Sequence, residues 1–133
     1  VLDVSPIPVI SRAWLEGHLT LWEGTSFLLF NSSWYRKWRT PDYLEGYPVL
    51  EPAATQWLVD RNIKGIGMDY ISVDAFNDKS LPNHHILLQA EVLIIENLYY
   101  PDDLPTGERM QFGCFPIKIR AADGAPVRAL LWK

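Results

Sequence analysis

Asn83-His84-His85-Ile86-Leu87-Leu88-Gln89-Ala90-Glu91-Val92-Leu93-Ile94-Ile95-Glu96-Asn97 reads as a short helix followed by a buried strand, and that succession sets the chain in the α/β class. The helix advances roughly 9 Å at about 1.5 Å per residue, and Val92 to Ile95 returns roughly 13 Å. Such a return brings His84 and Glu96, twelve positions apart, toward each other. Glu96 closes a run of four aliphatic residues, where an ionised carboxylate is costly unless it meets a cation, a metal or several donors. A neutral imidazole nearby can help complete a metal site.

Working outward, helix and strand alternate through the middle of the chain. Val1 to Val4 is a candidate strand, and Ser11 a candidate N-cap for a helix around Arg12 to Glu16 that Gly17 would end. Ser26 to Phe30 is a compact apolar strand. Asn31 to Tyr47 is a long aromatic loop holding Trp34, Tyr35, Trp38, Tyr43 and Tyr47. Glu51-Pro52 opens the clearest helix, running to about Asp60, with proline in its first turn. Ile63 to Met68 forms the next strand and delivers Asp69 at its end. Beyond Thr106-Gly107, Met110 to Phe115 and Pro116 to Arg120 read as strand, Asp123-Gly124 as a tight turn, and Val127 to Trp132 as the returning strand. The architecture expected is α/β: a mixed sheet with helices packed on it and a C-terminal antiparallel hairpin, in one domain over residues 1–133.

Composition bounds the function. The 133 residues are 48% hydrophobic, enough for a real core. Sixteen acidic against 12 basic residues, without basic runs, leave no electrostatic footprint for nucleic acid. No stretch approaches 18 apolar residues, and the start lacks the basic flank and cleavage site of a signal peptide, so neither membrane nor export is expected. The single Cys114 rules out an internal disulfide and favours the cytoplasm. The chain starts strand-like at Val1, as methionine removal or a boundary within a longer protein would leave it.

The residues themselves leave two readings of His84 and Glu96 open. They are two metal donors, or a helix-capping histidine and a carboxylate satisfied by backbone amides. Two donors do not fill a site that normally takes three protein groups plus water. His85 points elsewhere on the helix, to the surface or behind the ligands. Asp69, Ser72 and Asp74 leave the end of a buried strand, where α/β proteins tend to place their sites, though capping of a turn is the favoured account of them. The aromatic loop, Trp34 and Trp38 above all, either stacks on a flat substrate or packs down and makes a subunit contact. Cys114, between aromatics in a strand with no activating base, is a core thiol. Gly65-Ile66-Gly67 is not a dinucleotide loop, because position 70 is Tyr and no helix begins there.

Several segments together resemble the cyclase family of metal-dependent hydrolases, which includes bacterial kynurenine formamidase and isatin hydrolase. They are Gly65-Ile66-Gly67-Met68-Asp69 with Ser72-Val73-Asp74, His84 through Leu98, and Pro116-Ile117-Lys118-Ile119 with Asp123-Gly124-Ala125-Pro126-Val127-Arg128. The resemblance is strong from Ile63 to Leu131 and looser before it, where Phe27-Leu28-Leu29-Phe30 with Trp34 is similar to the family's strand and following Trp. It implies a swivelling β/β/α fold that forms homo-oligomers, and a site for zinc or manganese in which His84 and Glu96 are ligands. Asp69, Ser72 and His85 would then stand behind those ligands, and Trp34 and Trp38 would flank the substrate.

The family's signature, His-x-Gly-Thr-His-x-Asp-x-Pro-x-His, supplies the other ligands and the catalytic histidine, and this sequence contains none of it. His18, the third histidine, has no second histidine four residues away. The chain therefore resembles the C-terminal portion of a family member. The expected function is that of a metal-dependent hydrolase of an amide or lactam, arylformamidase-like, with no catalytic residue in this chain and no activity by this chain alone. The metal would bind only with the missing ligands supplied. The rival expectation is a non-catalytic module that binds a partner or completes an oligomer.

Overall fold

The computed structural model describes residues 1–133. Its strands are β1 (Leu2–Asp3), β2 (Val9–Ile10), β3 (Phe27–Asn31), β4 (Val49–Leu50), β5 (Gly65–Met68), β6 (Leu93–Ile95), β7 (Gln111–Pro116) and β8 (Val127–Trp132). Its helices are α1 (Arg12–Gly17), α2 (Leu19–Trp22), α3 (Pro52–Val59) and α4 (Pro82–Gln89). Four strands form a parallel sheet in the order β1-β3-β5-β6. The two-residue β2 and β4 pair in parallel beside it, and β7 and β8 form an antiparallel hairpin with its own two-stranded ladder. No helix is long and apolar enough to cross a membrane.

The all-apolar reading of β3 has a direct cause: both of its faces are covered. Successive side chains of a strand point to opposite faces. Leu28 and Phe30 pack with Ile66, Met68, Leu58 and Leu87 on the helical side. Leu29 joins Ile95, Leu98 and Tyr100 on the other side, beneath Phe112, Cys114, Ala129 and Leu131 of the hairpin. The molecule thus has three layers: helices, parallel sheet, hairpin. Gly67 in β5 suits this packing, since a Cβ there would lie 2.5 Å from Leu29 Cδ2 and 2.8 Å from Leu98 Cδ1 and both leucine ends would have to shift.

Gly17 is the last residue of α1, where the sequence places the end of that helix, and two local readings elsewhere change. His18 follows with its ring stacked on Trp14 and its Nδ1 2.8 Å from the Trp14 carbonyl, and α2 begins directly after it. Pro116 to Arg120 is not strand beyond its first residue, because the ladder with β8 stops at the Pro116–Val127 pair and leaves 117–120 exposed. The aromatic stretch Asn31 to Tyr47 is not all loop: it winds into 3-10 turns at Trp34–Lys37 and Pro41–Leu44.

The parallel sheet delivers its carboxyl ends to one edge. The chain leaves β3 at Ser32, β5 at Asp69 and β6 at Glu96, all on that edge.

Candidate metal centre

Helix α4 begins without help from its own N-cap. Leu81 has a left-handed backbone, φ 46°, and its side chain offers no acceptor. Asp74, on the segment that follows β5, supplies the missing acceptors: the N–H groups of Asn83 and His84 donate to its two carboxylate oxygens, each at 3.0 Å. The Asn83 side chain fixes the same turn from the other side. Its amide donates to the carbonyls of Leu50 and Val73 at 2.8 and 3.2 Å, and it accepts from Thr55 Oγ1 at 2.6 Å. The first turn of α4 is thereby tied to β4, α3 and the end of the β5 segment.

That anchoring aims His84. Its Nδ1 lies 2.8 Å from Asp74 Oδ2, and its Nε2 faces Glu96 Oε1 at 3.5 Å. A separation of 3.5 Å exceeds the range of an N–H···O hydrogen bond. It matches the donor spacing around a tetrahedral ion, since bonds of about 2.0–2.2 Å set neighbouring ligand atoms about 3.4 Å apart. Both side chains are only partly exposed, 23% and 32%. Burial pushes the Glu96 carboxyl above its ordinary range, with the charge of the neighbouring His84 opposing. A cation between the two groups would offset that burial, so the residues present fit one. No group of three His, Cys, Asp or Glu side chains placed to hold an ion occurs in the chain.

The other expected residues surround the pair at different distances. Ser72 Oγ accepts from the Asp74 N–H at 3.1 Å and so touches the site through Asp74. Asp69 is fully buried and faces the aromatic stretch, accepting from Ser32 N–H at 2.9 Å and Ser32 Oγ at 2.7 Å. His85 lies on the exposed side of α4. The Trp34 indole N–H donates to the Tyr43 carbonyl at 2.9 Å, and Lys37 Nζ sits 3.5 Å over its ring, so this side chain is engaged within the protein. Trp38 is 54% exposed and stands edge-on to Tyr43 at 5.0 Å.

Three residues of this neighbourhood had no role assigned from sequence. The Tyr43 hydroxyl donates to the side chain of Asn97, the residue beside Glu96. Burial raises Tyr43 to about 12, helped by Asp69 and Glu96, so its hydroxyl is protonated and a donor at neutral pH. Tyr47 Oη donates to the Asp74 carbonyl at 2.8 Å. The only signal for these partners was the placement of Asp74 and the aromatics beside strand ends.

The family model "Cyclase" matches residues 8–75. The chain belongs to the cyclase family. Kynurenine formamidase of Bacillus cereus strain ATCC 14579 is 33% identical over 132 residues, 98% of this chain and 60% of that enzyme. A solved structure described as a "potential metal-dependent hydrolase with cyclase activity" superposes with a TM-score of 0.74 at 27% identity, over 98% of this chain and 61% of the other. An isatin hydrolase bound to thioisatinate shares the fold, with a TM-score of 0.84 at 20% identity over 98% of this chain and 57% of the other. The chain thus spans about three fifths of the length of these relatives. The α/β class with its C-terminal antiparallel hairpin is a cyclase-family fold, and the relatives are hydrolases acting on small molecules.

Proposed function

We propose that residues 1–133 are the C-terminal portion of a metal-dependent hydrolase domain acting on an amide or lactam, arylformamidase-like, in which His84 and Glu96 are two ligands of a zinc or manganese ion. The observation that carries this reading is the 3.5 Å gap between His84 Nε2 and Glu96 Oε1. When bound, such an ion supplies Lewis acidity, polarising a carbonyl and acidifying water.

The chain's own residues do the positioning. Glu96 offers negative charge in a partly dry setting, and His84 offers an aimed ring nitrogen. Tyr43 holds Asn97 beside Glu96 with a hydroxyl that stays protonated. Trp38, exposed above Tyr43, is the surface on which an aryl substrate would stack. Trp34 contributes by fixing the Tyr43 backbone, Ser72 by holding Asp74, and Asp69 by tying the aromatic stretch to β5. The remaining ligands and the group that moves the proton lie outside this chain in this reading, so the chain alone is inactive. Assembly as a homo-oligomer is part of the reading, supported by the exposed apolar outer face of the hairpin: Phe115, Leu130 and Trp132. The lone unpaired Cys114 is in keeping with a cytoplasmic setting.

The test begins with the codons preceding Val1. An in-frame His-x-x-x-His-x-Asp there, with stoichiometric zinc or manganese and hydrolysis of an N-formyl aryl amine by the longer product, is the expected result. His84→Ala and Glu96→Gln should each lower metal affinity at least tenfold, since each removes a ligand. A genuine start at Val1 with neither metal nor activity would favour the rival, a non-catalytic module.

A further inference from the structure

We infer that Asp74 is a positioning residue: its carboxylate holds His84 as the Nδ1–H tautomer and so turns the Nε2 lone pair toward Glu96. The purpose of that arrangement rests on reading His84 as a metal ligand, whereas the tautomer itself does not.

The geometry leaves Nδ1 one role. Asp74 is 2% exposed, and a carboxylate only accepts hydrogen bonds. Its Oδ2 lies 3.0 Å from the His84 N–H and 2.8 Å from the His84 ring Nδ1, so Nδ1 must carry the proton that joins them. A neutral imidazole protonated at Nδ1 bears its free lone pair on Nε2. Nε2 is the atom that faces Glu96 at 3.5 Å. Metal-bound histidines commonly donate their other ring N–H to a carboxylate in this way, which fixes both tautomer and ring orientation.

Capping of α4 alone does not explain the arrangement. A cap needs an acceptor for the first-turn N–H groups, and the ordinary source is the residue at position 81. Here that residue is Leu81, and the carboxylate instead reaches in from Asp74, where one oxygen serves both the His84 backbone and the His84 ring. Asp74 is itself locked at both backbone ends. Its N–H donates to Ser72 Oγ at 3.1 Å, and its carbonyl accepts from Tyr47 Oη at 2.8 Å. The carboxylate therefore cannot swing away without stranding three donors. An Asn at this position would lose the Asn83 bond with its NH2 in the place of Oδ1, or both His84 bonds with its NH2 in the place of Oδ2.

The test is nitrogen-15 NMR of the His84 ring in this chain without metal, at a pH where the ring is neutral. A protonated-type signal at Nδ1 and an unprotonated-type signal at Nε2 are expected; the reverse assignment, or an even mixture, would overturn the inference. Asp74→Ala, which removes the acceptor at Oδ2, should abolish the single-tautomer pattern, and a folded variant that keeps it unchanged would show that Asp74 does not hold the ring. If that variant does not fold, the wild-type spectrum decides by itself. Zinc added to the longer product that carries the upstream ligands separates the two ideas. Perturbation of Nε2 with Nδ1–H retained supports both, and Asp74→Ala should then bind zinc roughly 10–100-fold more weakly. The expected tautomer with an Nε2 signal indifferent to zinc keeps the role of Asp74 and removes the ligand reading; zinc binding through Nδ1 overturns the inference.

Discussion

Asn83 is 2% exposed and uses its whole amide, donating to the Leu50 and Val73 carbonyls and accepting from Thr55. It carries no chemistry of its own, yet it sets where His84 stands. Thr55→Val keeps the side chain's shape and removes the donor, stranding a buried amide oxygen. Leaving such a group unsatisfied costs about 1–3 kcal/mol, so the urea midpoint of the variant should fall with its slope unchanged. An unmoved midpoint would mean that Thr55 does not hold Asn83. The same contrast explains what the sequence disclosed at this scale. His84 and Glu96 were legible because a carboxylate closing an aliphatic run demands a partner. Asp74 was left ambiguous between capping and function, and Tyr43 and Asn97 were passed over. Their contacts depend on how the irregular stretches 69–81 and 31–47 fold back, and no periodicity encodes that path.

At the scale of elements, burial on both faces made β3 and β5 readable as uninterrupted apolar runs, β6 was readable from its aliphatic run although it is an edge strand with Leu93 exposed, and Pro52 marked the start of α3. The two-residue β2 and β4 could not be read, since a pair of residues has no period. Gly17 closes α1 as expected, though without the left-handed backbone common just past helix ends, and α2 follows after the single residue His18. Gly67 has a different reason to be glycine. It lies where β5 passes beneath Leu29 and Leu98, three residues before the sheet delivers Tyr70 to the site edge. Gly67→Ala would drive a methyl to 2.5 Å from Leu29 Cδ2 and 2.8 Å from Leu98 Cδ1. Overpacking of this kind costs typically 1–3 kcal/mol, toward the lower part of about that range because both obstacles are the ends of flexible leucines. Chemical denaturation checks it, and a midpoint equal to that of the wild type would show that the layer between sheet and hairpin has slack.

For the whole molecule, the helices, sheet and hairpin enclose tyrosines whose ionisation is tied to the fold. Burial raises Tyr43 and Tyr47 to about 12 and holds Tyr70 and Tyr100 well above their ordinary value, with Asp69 adding to the shift of Tyr43, Tyr70 and Tyr100. In the unfolded chain each would ionise near pH 10. Above that pH the unfolded chain has released protons that the folded chain retains, so stability falls as pH rises. The contribution of these tyrosines is fully present below about pH 10 and is lost through pH 12 and beyond. An alkaline titration should therefore show part of the phenolate absorbance of the six tyrosines appearing before any structural change, and the rest appearing together with loss of the circular dichroism signal. The four buried tyrosines come from the aromatic stretch, the end of β5 and the segment after β6, so their delayed ionisation reports on how these parts close over the carboxyl edge of the sheet. Six phenolates titrating together near pH 10 with the fold intact would mean that water already reaches that edge, and that Glu96 is less dry than its position among them implies.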